Sequence, residues 1–249
     1  MRRTLGELGV SHLDLLLLQW PLPTLAPVAE QWAAMEALVD AGLVRDIGVS
    51  NFSAKKLAAL MDGGDGLGDG TAVMGECRIK PSVNQVECGP HFRQEELLAA
   101  CRARGVLVQA YGPLGSGDQF SSEGLRRKRS GPPPMSHPAV VAAAAAAGLT
   151  PAQAMLVWNI GRGVAVLPKS ADPARQAENL AAGSVAWEAG LPEGHDAAVG
   201  GFEEQYRLQH GAFHTGPGKP YATLADLWDE DCGYMEGRDF ERPEGFALR

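Results

Sequence analysis

The sequence predicts an α/β fold built from parallel strand–helix units, and three observations carry that expectation. Short apolar runs alternate regularly with segments of helical period. The runs are near-continuously apolar rather than strictly alternating, as strands buried on both faces require. Most of them also end in a cluster of polar side chains, the place where parallel α/β barrels bind ligands.

In chain order, Leu13–Leu18 is the first strand; Trp32, Met35 and Val39 then recur at helical spacing, and Gly42 closes that helix. Gly42–Phe52 holds the second strand, which ends in Ser50-Asn51, and Leu57, Leu60 and Met61 mark the helix after it. Pro81–Glu87 is the third strand, followed by a helix over Gln94–Arg104 that stops at Gly105. The fourth strand leaves Gly105 and runs into Tyr111-Gly112-Pro113-Leu114-Gly115-Ser116. Ala142–Ala147 reads as a helix before Gly148, and Thr150-Pro151 is an N-cap and first-turn pair for a helix through Met155 and Trp158. Gly163–Leu167 is the fifth strand, and Asp172-Pro173 opens a helix over Asp172–Ala182. Five units result rather than eight, although 249 residues match the roughly 250 of a complete eight-unit barrel. The remaining length lies in a tail, Gly183–Arg249, expected to form short helices and irregular structure.

A chain that is 45% hydrophobic and 21% charged is expected to be globular with a sizeable core. Its net charge of −8 argues against nucleic acid or anionic membrane as general partners. No apolar run approaches the roughly 20 residues of a membrane span. His12 and Asp14 interrupt the leucine-rich start, which therefore does not read as a signal peptide. Cys77, Cys88, Cys101 and Cys232 form no C-x-x-C pair, so reduced thiols in a cytoplasmic setting are expected, with Cys101 on the apolar side of its helix. Asp62–Glu76 is a Gly- and Asp-rich loop rather than a calcium or dinucleotide motif. Arg126–Arg129 with Gly131–Pro134 reads as a solvated basic loop, or less simply as a nuclear-localisation signal. His210 and His214 have an i, i+4 spacing, but Gly211 and Phe213 weaken a helix there and no third ligand stands near, so no metal site is expected.

Leu167-Pro168-Lys169-Ser170, with Arg175 five residues after the serine and Glu178-Asn179 a turn further on, is the richest chemical pattern. A strand end that opens onto a helix N-terminus attracts anions. Lys169 adds a point charge, Ser170 a hydroxyl, and Arg175 a planar fork suited to phosphate. Glu178 and Asn179 are placed to meet the nitrogens of an attached base.

Taken in order and spacing, the windows Leu13–Pro21, Gly42–Phe52, Pro81–Glu87, Gly105–Ser116 and Lys169–Asn179 resemble the aldo-keto reductases. These are NADP(H)-dependent oxidoreductases with a (β/α)8 TIM-barrel fold, and the likeness runs from about residue 3 to about residue 182. The resemblance implies an incomplete barrel over residues 1–182, containing the family's strands four to eight, followed by an extension over 183–249. It implies that Ser50, Asn51 and Gln85 hydrogen-bond the nicotinamide carboxamide and that Tyr111 stacks under the ring. Leu114 and Ser116 would touch the pyrophosphate, while Lys169, Ser170 and Arg175 would grip the 2′-phosphate and Glu178 and Asn179 the adenine. The substrate would be a small aldehyde or ketone, with Trp20 lining its pocket. The family's catalytic tyrosine, lysine and aspartate belong to the three units that are absent here, and its histidine position holds Gln19, which donates a hydrogen bond but does not titrate near neutrality. Three readings of the short barrel stay open: an incomplete gene model, a true truncation, or a barrel completed by a second chain. A non-catalytic NADP(H)-binding or regulatory protein is the alternative function.

Overall fold

The computed structural model describes residues 1–23, 26–63, 77–115, 133–203 and 205–230, with the backbone alone of 126–127 and 240–241. Ser116, Cys232, and most of the Gly/Asp-rich and basic stretches named above lie outside the described residues. Five strands form one parallel sheet: β1 (Leu13–Leu18), β2 (Val44–Ser50), β3 (Val83–Glu87), β4 (Leu107–Tyr111) and, after the two-residue β5 (Arg126–Arg127), β6 (Ala165–Leu167). Their order across the sheet is β1-β2-β3-β4-β6. The α/β class with a parallel sheet and flanking helices is therefore observed. β5 pairs antiparallel with β7 (Phe240–Glu241), so two residues of the expected basic loop are extended and hydrogen-bonded through their backbone.

The chain divides into two compact units. The first comprises Met1–Val86, Glu95–Val108 and Gly211–Asp231. It holds α1 (Arg2–Leu8), α2 (Val28–Asp40), α3 (Ala54–Asp62) and α4 (Glu95–Ala103). Trp32 and Met35 of α2, Ile47 and Val49 of β2, Leu57 and Leu60 of α3, and Leu98 and Cys101 of α4 are buried in its core. Burial raises the Cys101 thiol pKa to about 11, so this cysteine stays a neutral core group. β1 lies at the sheet edge, and none of its six residues is fully buried, whereas β2 and β3 are largely buried.

The tail returns to this first unit. After Gly211 come a single 3-10 turn (Ala212–His214) and a short helix, α9 (Leu224–Trp228), capped by Thr223. No α-helix therefore carries His210 and His214 on one face. Gly211 has φ 75°, and a Cβ there would stand 2.8 Å from Leu227 and 3.0 Å from the Trp20 ring. Gly211→Ala is expected to cost about 1–3 kcal/mol, through left-handed strain and overpacking, read as a lower urea midpoint.

The second unit comprises Glu87–Gln94, Gln109–His210 and Cys232–Arg249. Its helices are α5 (Pro138–Ala147), α6 (Pro151–Gly161), α7 (Pro173–Glu188) and α8 (His195–Gly200). Val140, Ala144, Met155, Leu156, Trp158, Ala182 and Val199 form its apolar centre. Local chemistry sets the helix ends. Thr150 and Gln153 make a reciprocal capping box with Pro151 in the first turn, Gly148 closes α5 in the left-handed region, and Asp172 caps α7 ahead of Pro173. The last helix differs from expectation, continuing through Gly183 to Glu188 because Val185 and Ala186 pack on the same apolar cluster as Ala182. Among the described residues no single helix is long and apolar enough to cross a membrane; α5 and α6 together would be, but they bend by 89° and line the core.

Candidate functional site

In the first unit, the polar residues at the ends of β1, β2 and β3 converge. The β2–β3 register sets Ser50 opposite Gln85. Ser50 Oγ donates to the Gln85 carbonyl at 2.7 Å, and the Asn51 N–H donates to the same carbonyl at 3.0 Å. Asn51 leaves the strand with φ 62°, a left-handed turn that asparagine tolerates better than most residues. That turn lets Asn51 Nδ2 donate to the Gln19 carbonyl at 2.9 Å and reach Ser50 Oγ at 3.2 Å. Behind it, Asn84 Nδ2 donates to the Phe52 carbonyl at 2.9 Å. Ser50 and Asn51 are each 4% exposed, while the Gln19 side chain at the end of β1 is exposed.

Trp20, next along from Gln19, is half-buried and meets three rings from the tail. Its centroid lies 4.8 Å from His214, 5.6 Å from Trp228 and 5.8 Å from Phe213, all edge-on. Burial lowers the His214 imidazole pKa to about 4, with the Lys219 charge adding to the effect, so the ring is neutral at pH 7.

In the second unit, Tyr111 ends β4 in register with Leu167 of β6. Burial, then the Glu87 charge, raises the phenol pKa well above its ordinary value, and the hydroxyl bonds to the Glu87 backbone. Tyr111 is thus a neutral ring at any working pH. Gly112 and Gly115 have φ 58° and 75°, and the Gly115 N–H closes a turn on the Gly112 carbonyl at 2.9 Å. Leu114 packs against the α5–α6 cluster.

The turn after β6 is held by its own side chains. Ser170 Oγ accepts the Asp172 N–H at 3.1 Å, and Asp172 Oδ1 accepts the N–H groups of Ala174 at 2.8 Å and Arg175 at 3.2 Å. Lys169 is exposed, and the Arg175 side chain is 73% exposed, with its Nε 4.0 Å from Asp172 Oδ2. Glu178 accepts the Thr150 hydroxyl, and its carbonyl accepts Gln153 Nε2 at 3.1 Å. Asn179 is half-buried on the same helix. Anion binding here would therefore rest on the Lys169 and Arg175 side chains, because Asp172 already holds two of the α7 amides.

Two buried charged groups carried little signal in the sequence. Lys56, in the first turn of α3, is 0% exposed and pairs with Asp229. Glu87, the last residue of β3, is 1% exposed and lies 3.2 Å from His91. A charged residue that closes an apolar strand was the one available hint for Glu87. Among the described residues no group of three or more His, Cys, Asp or Glu is arranged to hold a metal ion.

The Aldo/keto reductase family model matches residues 1–189. The chain belongs to the aldo-keto reductase family. It is similar to an aldo/keto reductase of Synechocystis sp., 36% identical over 247 residues that cover 92% of this chain and 69% of that protein. Aldo-keto reductase family 4 member C11 of Arabidopsis thaliana is 32% identical over 243 residues, with the same coverage of 92% and 69%. Aldo-keto reductase family 1 member A1 of Bos taurus is 36% identical over 198 residues, 72% of this chain and 55% of that protein. The chain thus spans between about half and two thirds of the length of the relatives it matches.

Proposed function

We propose that this chain binds NADP(H) at the carboxyl ends of its strands and belongs to a carbonyl-reducing oxidoreductase acting on small aldehydes or ketones. The observation that carries the reading is the knot at three adjacent strand ends, in which the buried Ser50 hydroxyl and Asn51 amide bond the Gln85 and Gln19 carbonyls and bring those two glutamines beside them. Such groups match the C=O and NH2 of a carboxamide. Lys169 and Arg175 are the complementary feature, exposed cations after the last sheet strand that suit a phosphate monoester. Tyr111 offers a neutral ring for stacking, and Leu114, Ser116, Ser170, Glu178 and Asn179 complete the binding set.

When bound, NADPH supplies the hydride. This chain's own residues orient the carboxamide, present one ring face, and offer Gln19 Nε2 to the substrate oxygen, with Trp20 beside it. None of these groups titrates as an acid near pH 7, because the Gln19 carboxamide does not ionise there and burial, then the Glu87 charge, holds Tyr111 neutral. That observation favours a second reading, a chain that retains the coenzyme site with little turnover of its own. On either reading residues 1–182 act as part of a barrel and 183–249 as an extension; the half-buried leucines of the edge strand β1 support that view.

Arg175→Ala tests the coenzyme reading. One lost charge-assisted contact is worth about 1.5–3 kcal/mol, so NADPH affinity is expected to fall about tenfold or more while NADH affinity barely changes. Fluorescence titration of both coenzymes reads it; equal losses, or none, contradict the assignment. Reduction of an aromatic aldehyde by the purified chain separates the two readings, since measurable turnover removes the second.

A further inference from the structure

The tail segment Gln205–Gln209 is stitched to the loop that follows β3. The Glu87 carboxylate accepts the Leu208 N–H at 2.9 Å on both oxygens, and its Oε2 accepts the Gln209 N–H at 2.7 Å. His91 Nε2 stands 3.2 Å from Oε1, and the His91 carbonyl accepts the Tyr206 N–H at 2.8 Å. Gln205 bonds on both sides, its Oε1 accepting the Arg93 N–H at 2.9 Å and its Nε2 donating to the Pro90 carbonyl at 3.1 Å. Above these contacts the Arg207 guanidinium lies 4.4 Å over the Phe92 ring, and Tyr206 faces His91 at 5.2 Å.

Glu87 also reaches Tyr111, by a different route. Its main chain donates to the Tyr111 hydroxyl oxygen, and the charges of both Glu87 and Arg207 act on that phenol. The Cys88 N–H, next in sequence, bonds the Tyr111 carbonyl at 3.4 Å. A single residue therefore clamps the strap with its side chain and fixes the tyrosine with its backbone. A buried carboxylate that accepts backbone N–H groups over 120 residues away contributes order to that segment, because it ties two successive amides to one fixed point.

We propose that Glu87 is a positioning residue: through the Gln205–Gln209 strap it fixes the wall beside Tyr111 and so governs how the nicotinamide end of the coenzyme is held. The inference rests on the coenzyme reading given under Proposed function. It assigns the strap no contact with the phosphate end, where Lys169 and Arg175 lie.

Glu87→Gln keeps the side-chain shape but replaces one acceptor oxygen with a donor that opposes a backbone N–H. NADPH and 2′,5′-ADP, which shares the phosphate end and lacks the nicotinamide, are titrated against the parent chain and the variant. NADPH affinity is expected to fall about tenfold in the variant while 2′,5′-ADP binds within about twofold of the parent. Leu208→Pro removes one strap N–H, leaves Glu87 intact, and carries the same expectation if Glu87→Gln does not fold. Equal loss of both ligands, or unchanged NADPH binding, overturns the proposal. Failure of the parent chain to bind 2′,5′-ADP overturns the coenzyme reading itself.

Discussion

Asp229→Ala is expected to lower the unfolding free energy by about 3–5 kcal/mol, the cost of leaving a buried charge without its partner. The stranded group is the Lys56 ammonium. In the intact chain its Nζ lies 2.5 Å from Asp229 Oδ2 and 2.8 Å from the Asp226 carbonyl, with the Tyr221 ring 5.1 Å away. Ser53 donates to the same carboxylate oxygen at 2.6 Å and accepts the Lys56 N–H at 3.0 Å, so the N-cap of α3 shares the carboxylate. Tyr221 completes the attachment by donating to the Pro21 carbonyl at 2.5 Å. Asp229 itself is 12% exposed and holds a left-handed backbone with φ 56°.

Burial is the largest influence on Lys56 and lowers its pKa; the hydrogen bond and charge of Asp229 restore only part of the loss. The protonated form is thus less favourable in the folded chain than in water, and its penalty is relieved as pH rises from the depressed folded value towards 10.5. The pair therefore specifies where the tail docks more than it stabilises the fold. Lys56→Met combined with Asp229→Asn should cost much less than Asp229→Ala alone, within about 1 kcal/mol of the parent, as replaced buried ion pairs often do. Urea midpoints of the parent, Lys56→Met, Asp229→Asn and the double variant close the cycle. A double variant as unstable as the sum of the singles contradicts this account.

The contrast between Lys56 and α7 shows what local sequence reveals. The Asp172–Pro173 and Thr150–Pro151–Gln153 signals act within one helical turn, so the chain near them contains all the physics needed to place those helix starts. The strand Val44–Ser50 was legible from Val44, Ile47 and Val49, which are buried, although Arg45 and Asp46 at its start are exposed. Lys55-Lys56 at a helix start reads as a solvated pair; what buries Lys56 is a carboxylate 173 residues away. The end of α7 failed for a related reason. Glycine in a helix costs about 1 kcal/mol relative to alanine, and the packing of Val185 and Ala186 on the apolar cluster outweighs that cost.

The site divides along the same line. Ser50 and Gln85, which the resemblance assigned to one carboxamide, meet because the register of two neighbouring strands sets them opposite each other. Asp172 is different: its role as cap was readable, and the structure adds that capping occupies the Ala174 and Arg175 amides. The role of Glu87 was not readable beyond its place at a strand end, since, His91 apart, its partners are main-chain amides of a segment whose side chains carry no trace of the contact.

Glu87→Ala is expected to destabilise the chain by about 3–5 kcal/mol at neutral pH, because it strips an acceptor from the half-buried Leu208 and Gln209 N–H groups and from the buried His91. The pH dependence gives the sharper test. Burial alone would raise the Glu87 pKa, but the His91 hydrogen bond and charge, the Gln209 N–H and the Arg207 charge together hold it below the ordinary 4.5. A depressed carboxylate binds its proton more weakly in the folded chain than in the unfolded one. Its stabilisation is therefore complete above the ordinary value, and it drains away as pH falls through the lower folded value. Urea midpoints measured from neutral to strongly acid pH should converge for the parent and Glu87→Ala, the parent losing the extra stability that the variant never had. Curves that stay parallel down to the lowest pH would show that the carboxylate contributes shape rather than charge.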